Sequence, residues 1–247
     1  MDVMVLNVSN TWNLEFEDGT VMNLDKAEHI KDAAKVISQY ADVIAVRAFP
    51  TLQDQEKDES EIVLKSFQKY ATVPMVNMES STAHPLQALA DALTISELKT
   101  KKKPKVVLSW APHPKALPQA VANSFVKMMK RSKVDFSITH PEGYELNPEL
   151  VQGIPVIYDQ QEALKQADFV YVKNWSSYAH YGEVISQDTN WMITPDKLKY
   201  TNNAKVMHCL PVRRNVVIAD EVLDSAASAV IQQAGNRTWA AQWVLKK

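Results

Sequence analysis

"HPLQALADALTISELKTKKKPKVVLSWA", residues 84–111, joins a helix to a buried strand in one stretch, and its reading decides the fold. Apolar residues recur at helical spacing from Leu86 onward, and Pro85 takes an early helix position that tolerates its missing N–H. Charge and Pro104 end the helix across residues 99–105. The run that follows is short and continuously apolar, as a strand covered on both faces requires.

The same alternation extends in both directions. "VMVLNV" (3–8), "DVIAVRAF" (42–49), "VPMVNM" (73–78), "DFSITHP" (135–141), "IPVIYD" (154–159), "DFVYVKNW" (168–175), "AKVMHCLP" (204–211) and "SAVIQQA" (228–234) read as further strands buried on both faces. "KAEHIKDAAKVISQYA" (26–41), "DESEIVLKSFQKYA" (58–71) and "PKALPQAVANSFVKMMKRS" (114–132) read as amphipathic helices. Such alternation predicts an α/β protein built from two doubly wound parallel sheets. The break at 99–105 separates residues 1–99 from residues 100–235, and a C-terminal helix over residues 236–247 is expected to return toward the first unit. Three candidate strands precede the break and five or six follow it, so the first sheet is expected to be incomplete.

Composition narrows the function classes. With 46% hydrophobic content, 247 residues can bury a substantial core. A net charge of −2 and one basic run give no reason to expect nucleic-acid binding. No apolar run is long enough to span a membrane, and one cysteine without a disulfide framework favours a cytoplasmic protein. Six scattered histidines offer no metal cluster, and five glycines form neither GxGxxG nor a P-loop, so neither metal nor cofactor is expected. A GxSxG elbow for an acyl-transferring serine is absent as well.

In open parallel sheets, ligands bind beyond the carboxyl ends of the strands. Those ends carry Arg47, then Glu79 followed by His84 and Gln87, then Lys173, and finally His208, Cys209, Leu210, Arg213 and Arg214. Each has a plainer reading alongside: HPLQ as an ordinary helix start, Arg47 as half of an ion pair, Cys209 as a small buried hydrophobe, Lys173 as a rim lysine. "WAPHP" (110–114) and "THPEGYELNPE" (139–149) read as rigid proline turns.

Taken in order, an arginine-ended strand, HPLQALAD and a late HCLPVRRN resemble the aspartate/ornithine carbamoyltransferase family over nearly all 247 residues. "SNTWNLEFEDGTVM", "LDKAEH", "VRAFP", "THPEGYEL", "YVKNW", "TNNAKVMHCLPVRRN" and "AGNR" are similar to its branch acting on N-acylated ornithine, the N-acetylornithine and N-succinylornithine carbamoyltransferases. The resemblance implies transfer of a carbamoyl group from carbamoyl phosphate to the δ-amine of an N-acylornithine, a step of arginine biosynthesis. It implies that Arg47, His84 and Gln87 hold the carbamoyl oxygen and phosphate, with Arg237 as a second phosphate contact. Cys209 and Leu210 would place the carbamoyl group beside the amine, with Arg213 in the same loop, and Glu79 would contact the ornithine part. Trp12 is implied to reach a neighbouring subunit's carbamoyl phosphate in a homotrimer.

Acceptor choice has a physical handle. Ordinary ornithine carbamoyltransferases carry a DxWxSMG loop whose aspartate pairs with the free α-ammonium. Here stands "VKNWSSYAHYGE", whose Lys173 repels an ammonium and suits a carboxylate. In "LDKAEH", where acetyl-type members tend to have glutamate and succinyl-type members proline, Ala27 leaves an uncharged space, which tilts the expectation to succinyl. The family's Ser-x-x-Arg-Thr phosphate loop occurs nowhere in the chain, so part of the carbamoyl-phosphate domain is expected to be missing and transfer impaired. A non-catalytic acylornithine-binding protein and an ordinary ornithine carbamoyltransferase stay open beside this reading.

Overall fold

The structure, a computed structural model, describes residues 13–246. Its first half contains β1 (Leu14–Glu15), β2 (Glu28–His29), α1 (Ile30–Ile37), β3 (Ile44–Arg47), α2 (Gln55–Ser60), α3 (Ile62–Tyr70), β4 (Met75–Glu79) and α4 (Pro85–Leu98). After residues 99–104 come β5 (Lys105–Trp110), α5 (Ala120–Met129), β6 (Asp135–Thr139), α6 (Pro148–Val151), α7 (Gln160–Leu164) and β7 (Phe169–Lys173). A 3-10 turn (Thr189–Trp191), α8 (Pro195–Leu198), β8 (Lys205–Met207), α9 (Asp220–Leu223) and α10 (Val230–Leu245) complete the chain. Every strand pair among the described residues is parallel: β1 with β2, β3 with β4, and a four-stranded sheet in the order β6-β5-β7-β8.

The period of two in a strand explains the second half. Val106, Leu108, Trp110 and Tyr171 point into one core with Phe125 and Met129 of α5, while Val107, Val170 and Val172 point into another with Leu164, Val217 and Val222. The central strands are therefore buried on both faces, as their continuous apolar runs predict. β3 differs from that expectation. Ile44 and Val46 are buried but Ala45 and Arg47 are exposed, because a two-stranded pair buries only the alternate residues that meet its core.

Other segments also depart from their reading. "IPVIYD" contributes a single bridge from Val156 to Ile138, and "SAVIQQA" bridges Ser228 to Val206 and then turns helical at Val230. Val230, Gln233, Asn236 and Ala240 form the buried face of α10 at helical spacing, which a short apolar run cannot announce. The last helix thus begins at Val230 and not near Asn236. "DESEIVLKSFQKYA" breaks into α2 and α3 at Glu61, a left-handed residue (φ 51°) whose carboxylate accepts from the Ser80 and Thr82 hydroxyls and the Thr82 N–H. α1 begins at Ile30, capped by His29 Nδ1 accepting the Lys31 N–H at 3.0 Å. "VMVLNV" lies outside the described residues.

Two of the connections between the halves lie where the chain crosses from one to the other. Asp168 receives Lys101 Nζ and the Lys105 N–H, each at 2.8 Å, which pins residues 99–105 to the start of β7. α10 runs along α4, where Asn236 Nδ2 donates to Thr94 Oγ1 and Gln232 Nε2 to Glu97.

Candidate active site

A slip in β3–β4 pairing begins the site. Val46 faces Asn77, but Arg47 faces Glu79, so Met78 is passed over and the two charged side chains meet at the strand ends. Arg47 Nε and Nη2 donate to Glu79 Oε2 at 3.0 and 2.8 Å. The chain then turns into α4, and the N-cap His84 gives its backbone N–H to Ser124 Oγ of α5 at 2.7 Å.

The His84 ring is buried, with Nδ1 lacking any hydrogen-bond partner among the described residues. Burial first, and then the Arg237, Arg47 and Lys173 cations, push this imidazole down to about 4. It is therefore neutral near pH 7, and its Nε2, 3.6 Å from Glu79 Oε2, forms neither an ion pair nor a hydrogen bond there. A neutral imidazole held by cations is suited to donate to a carbonyl oxygen that gains negative charge. Gln87, three residues on, lies on the same helix face; its Oε1 accepts from Arg237 Nη1 at 2.8 Å.

The second half supplies the opposite wall. Lys173 ends β7 and is buried, yet its Nζ makes no hydrogen bond or ion pair among the described residues. Its charge bears on His84, His208 and Cys209. After β8 the backbone passes through Leu210, left-handed at φ 54° and followed by a cis bond to Pro211. The Leu210 N–H donates to His208 Nδ1 at 2.9 Å, and burial pushes this imidazole down to about 3, so it acts as a neutral strut for the turn. The half-buried Cys209 thiol is pushed up, mainly by burial, with Lys173 opposing, and stays protonated near pH 7.

Arg47, Glu79, His84, Gln87, Lys173, Cys209, Leu210 and Arg237 are thus assembled where the halves meet. Arg213 is exposed and donates Nε to His113 Nε2 at 3.0 Å, which gives the WAPHP turn a partner in the HCLPVRRN loop beyond its rigidity. Ala27 is exposed, its N–H bonded to the Asn13 carbonyl, and among the described residues no interaction links it to the cluster. Trp12 lies outside the described residues.

Two further residues belong to the cluster and were not singled out from the sequence. Asp91 Oδ1 accepts from Gln87 Nε2 and Gln233 Nε2, both at 2.7 Å, and Gln233 Oε1 accepts the His208 N–H at 2.9 Å. The Gln87-to-Asp91 spacing of four in HPLQALAD is the signal for the first. Gln233 is hidden by the strand-like look of SAVIQQA.

Beyond Lys173, the loop to residue 184 is tied to the first half. Asp58 accepts from the Thr51 N–H at 2.9 Å, the Leu52 N–H at 2.8 Å and the Tyr181 hydroxyl at 2.9 Å. The next residue, Gly182, has φ +76° and lies so near Leu52 that a Cβ would fall 2.0 Å from the Leu52 oxygen. Among the described residues no group of three or more His, Cys, Asp or Glu could hold a metal ion, and no helix is long and apolar enough to cross a membrane.

Two family models match: "Aspartate/ornithine carbamoyltransferase, carbamoyl-P binding domain" over residues 2–97, and its "Asp/Orn binding domain" over residues 118–247. The N-succinylornithine carbamoyltransferase of Bacteroides thetaiotaomicron is 47% identical over 250 residues, which cover 100% of this chain and 79% of that protein. The N-acetylornithine carbamoyltransferase of Xanthomonas axonopodis pv. citri is 38% identical over 249 residues, covering 92% of this chain and 72% of that one. A crystal structure of an N-acetyl-L-ornithine transcarbamylase variant with carbamyl phosphate and N-succinyl-L-norvaline superposes with a TM-score of 0.90 at 37% identity, over 96% of this chain and 77% of that one. With both domain models, the relatives and the superposition in agreement, the chain belongs to the aspartate/ornithine carbamoyltransferase family of enzymes.

Proposed function

We propose that this protein transfers the carbamoyl group of carbamoyl phosphate to the δ-amine of N-succinylornithine, in arginine biosynthesis and in the cytoplasm. The observation that carries the acceptor choice is Lys173: a buried lysine whose ammonium has no anionic partner among the described residues, at the edge of the cluster, suits an acceptor that brings carboxylate and no free α-ammonium. The 47% identity to an N-succinylornithine carbamoyltransferase and the uncharged Ala27 support succinyl over acetyl.

Each cluster member has a part in this reaction. Arg237 and Arg47 hold the phosphate and stabilise it as it leaves; Arg47 exchanges its hold on Glu79 for the incoming anion. Neutral His84 donates to the carbamoyl oxygen as the tetrahedral intermediate gathers charge. Gln87 Oε1 receives the carbamoyl N–H, while Cys209 and the Leu210 main chain orient that group toward the δ-amine. Glu79, once released, faces the ornithine part. The amine attacks uncharged, the new C–N bond replaces the C–O bond to phosphate, and the amine proton leaves with the product phosphate.

Residues 1–99 are assigned to carbamoyl phosphate and residues 100–235 to the acylornithine, in line with the two family matches, and the C-terminal helix is assigned to the seam on its bonds to α4. The active form is a homotrimer, in which Trp12 serves a neighbouring copy's site.

Labelled carbamoyl phosphate offered with N-succinylornithine, N-acetylornithine or ornithine tests the reading. Faster transfer to N-succinylornithine supports it, and transfer to free ornithine alone overturns the acceptor choice. Calorimetric binding of N-succinylornithine without transfer would identify an acylornithine-binding protein instead.

A further inference from the structure

Asp91 is wholly buried, at 0% exposure, on the face of α4 that meets α10 and β7. Interior carboxyls are expensive, and burial pushes this one up to about 7. Its second oxygen lies beside the Tyr171 hydroxyl without a hydrogen bond of good geometry among the described residues, so the two amide donors on its first oxygen are what chiefly offset its burial.

The explanation lies in the donor–acceptor sense of the chain it joins. Arg237 Nη1 donates to Gln87 Oε1, and a guanidinium can only donate, so Gln87 must turn its amide N–H toward Asp91. The backbone N–H of His208 donates to Gln233 Oε1, so Gln233 must also turn its amide N–H toward Asp91. His208 in turn receives the Leu210 N–H. A single acceptor oxygen therefore fixes both glutamines, one from HPLQ and one that props the turn after β8.

We propose that Asp91 is a positioning residue that sets Gln87 on one wall of the site and the Cys209–Leu210 turn on the other in register with each other. Its catalytic meaning rests on the carbamoyl-transfer reading, because Gln87 and that turn are the groups assigned to the carbamoyl moiety. Asp91 itself touches no substrate. What it needs to supply is an acceptor oxygen in the right place, not a charge.

The only cysteine, Cys209, reports on this directly, without any need for turnover. Iodoacetamide labelling of the folded full chain is followed in wild type, Asp91→Ala, Asp91→Asn and Gln233→Met, with circular dichroism and urea unfolding verifying the fold of each. Asp91→Ala and Gln233→Met should label about tenfold faster than wild type, because the turn loses its prop. Asp91→Asn keeps a carbonyl oxygen for both amides and should stay within about threefold of wild type. Asp91→Asn labelling as fast as Asp91→Ala would show that charge, acting on the thiol, is the cause and would overturn the proposal. So would wild-type labelling in Gln233→Met, a variant that decides the matter even if Asp91→Ala fails to fold. Absence of carbamoyl transfer by the wild-type chain would sink the proposed activity and leave this thiol comparison intact.

Discussion

Replacing Gly182 with alanine should destabilise the protein by about 3–4 kcal/mol. Two contributions add. Alanine at φ +76° pays a left-handed backbone penalty of roughly 1 kcal/mol. The larger part comes from the Leu52 carbonyl, since a Cβ would stand 2.0 Å from its oxygen and the peptide must retreat by about 1 Å before contact is tolerable. Leu52 cannot retreat freely, because its own φ is +59° and the N–H groups of Thr51 and Leu52 are both bound to Asp58. Loosening those two hydrogen bonds contributes about 2–3 kcal/mol, as the acceptor is a buried carboxylate. Gly153→Ala supplies the control: φ is +80° there, but nothing lies within 4 Å of a new Cβ, so only the backbone penalty of about 1 kcal/mol remains. Urea unfolding of both variants, followed by tryptophan fluorescence and far-UV dichroism, isolates the clash as their difference. Equal losses in the two variants would refute the claim that the turn before Asp58 is rigid.

Tyr181→Phe removes one of the donors to the same carboxylate and should lower stability by about 1–2 kcal/mol, less than Gly182→Ala; a loss as large as that of the glycine variant would contradict this ranking. Lys173→Gln should weaken N-succinylornithine binding about 10- to 100-fold, the loss of one charge-assisted contact of roughly 1.5–3 kcal/mol, and calorimetry showing unchanged affinity would remove Lys173 from the acceptor site. His208 binds its proton near pH 3 when folded and near 6.5 when unfolded, so stability falls as pH drops between these values by about 1.4 kcal/mol per unit. His208→Asn keeps an acceptor for the Leu210 N–H, and its unfolding free energies from urea titrations at about pH 6 and pH 5 should differ by about 1 kcal/mol less than those of wild type; parallel pH dependences would argue against a neutral His208. Asp91 has the opposite sign: it keeps its proton up to about pH 7 when folded but only to 3.8 when unfolded, so its share of stability is lost as pH rises through that window. Asp91→Asn should therefore gain relative stability from pH 4 to pH 7, measurable in the same urea series.

The legible parts of this protein are those where one period dominates. α4, β5 and β7 are long or continuously apolar, and their ends deliver His84, Gln87 and Lys173 to the places their spacing implies. Arg47 and Glu79 are visible as strand-end charges, but their meeting depends on the pairing slip past Met78, which is a relation between two strands and is written in neither alone. SAVIQQA shows the limit of short apolar runs: the pull of α4, through Thr94 and Glu97, makes a helix of it and brings Gln233 and Arg237 to the site. Glu61 breaks a helix that propensity alone would continue, because its carboxylate has three donors waiting in residues 80–82.

The chain crosses between the halves at two places, residues 99–104 and the entry to α10, and both are fastened. Lys101 and Lys105 hold the first crossing to Asp168, while Gln232, Gln233, Asn236 and Arg237 bind α10 to α4. Away from both crossings, the Tyr181 hydroxyl donates to Asp58 and the His84 N–H donates to Ser124 Oγ, so the halves are also tied across their facing surfaces. A change in the gap between Arg47 on one wall and Lys173 on the other therefore has to break or bend one of these ties, which makes Asp58 and Ser124 gatekeepers of the site's width.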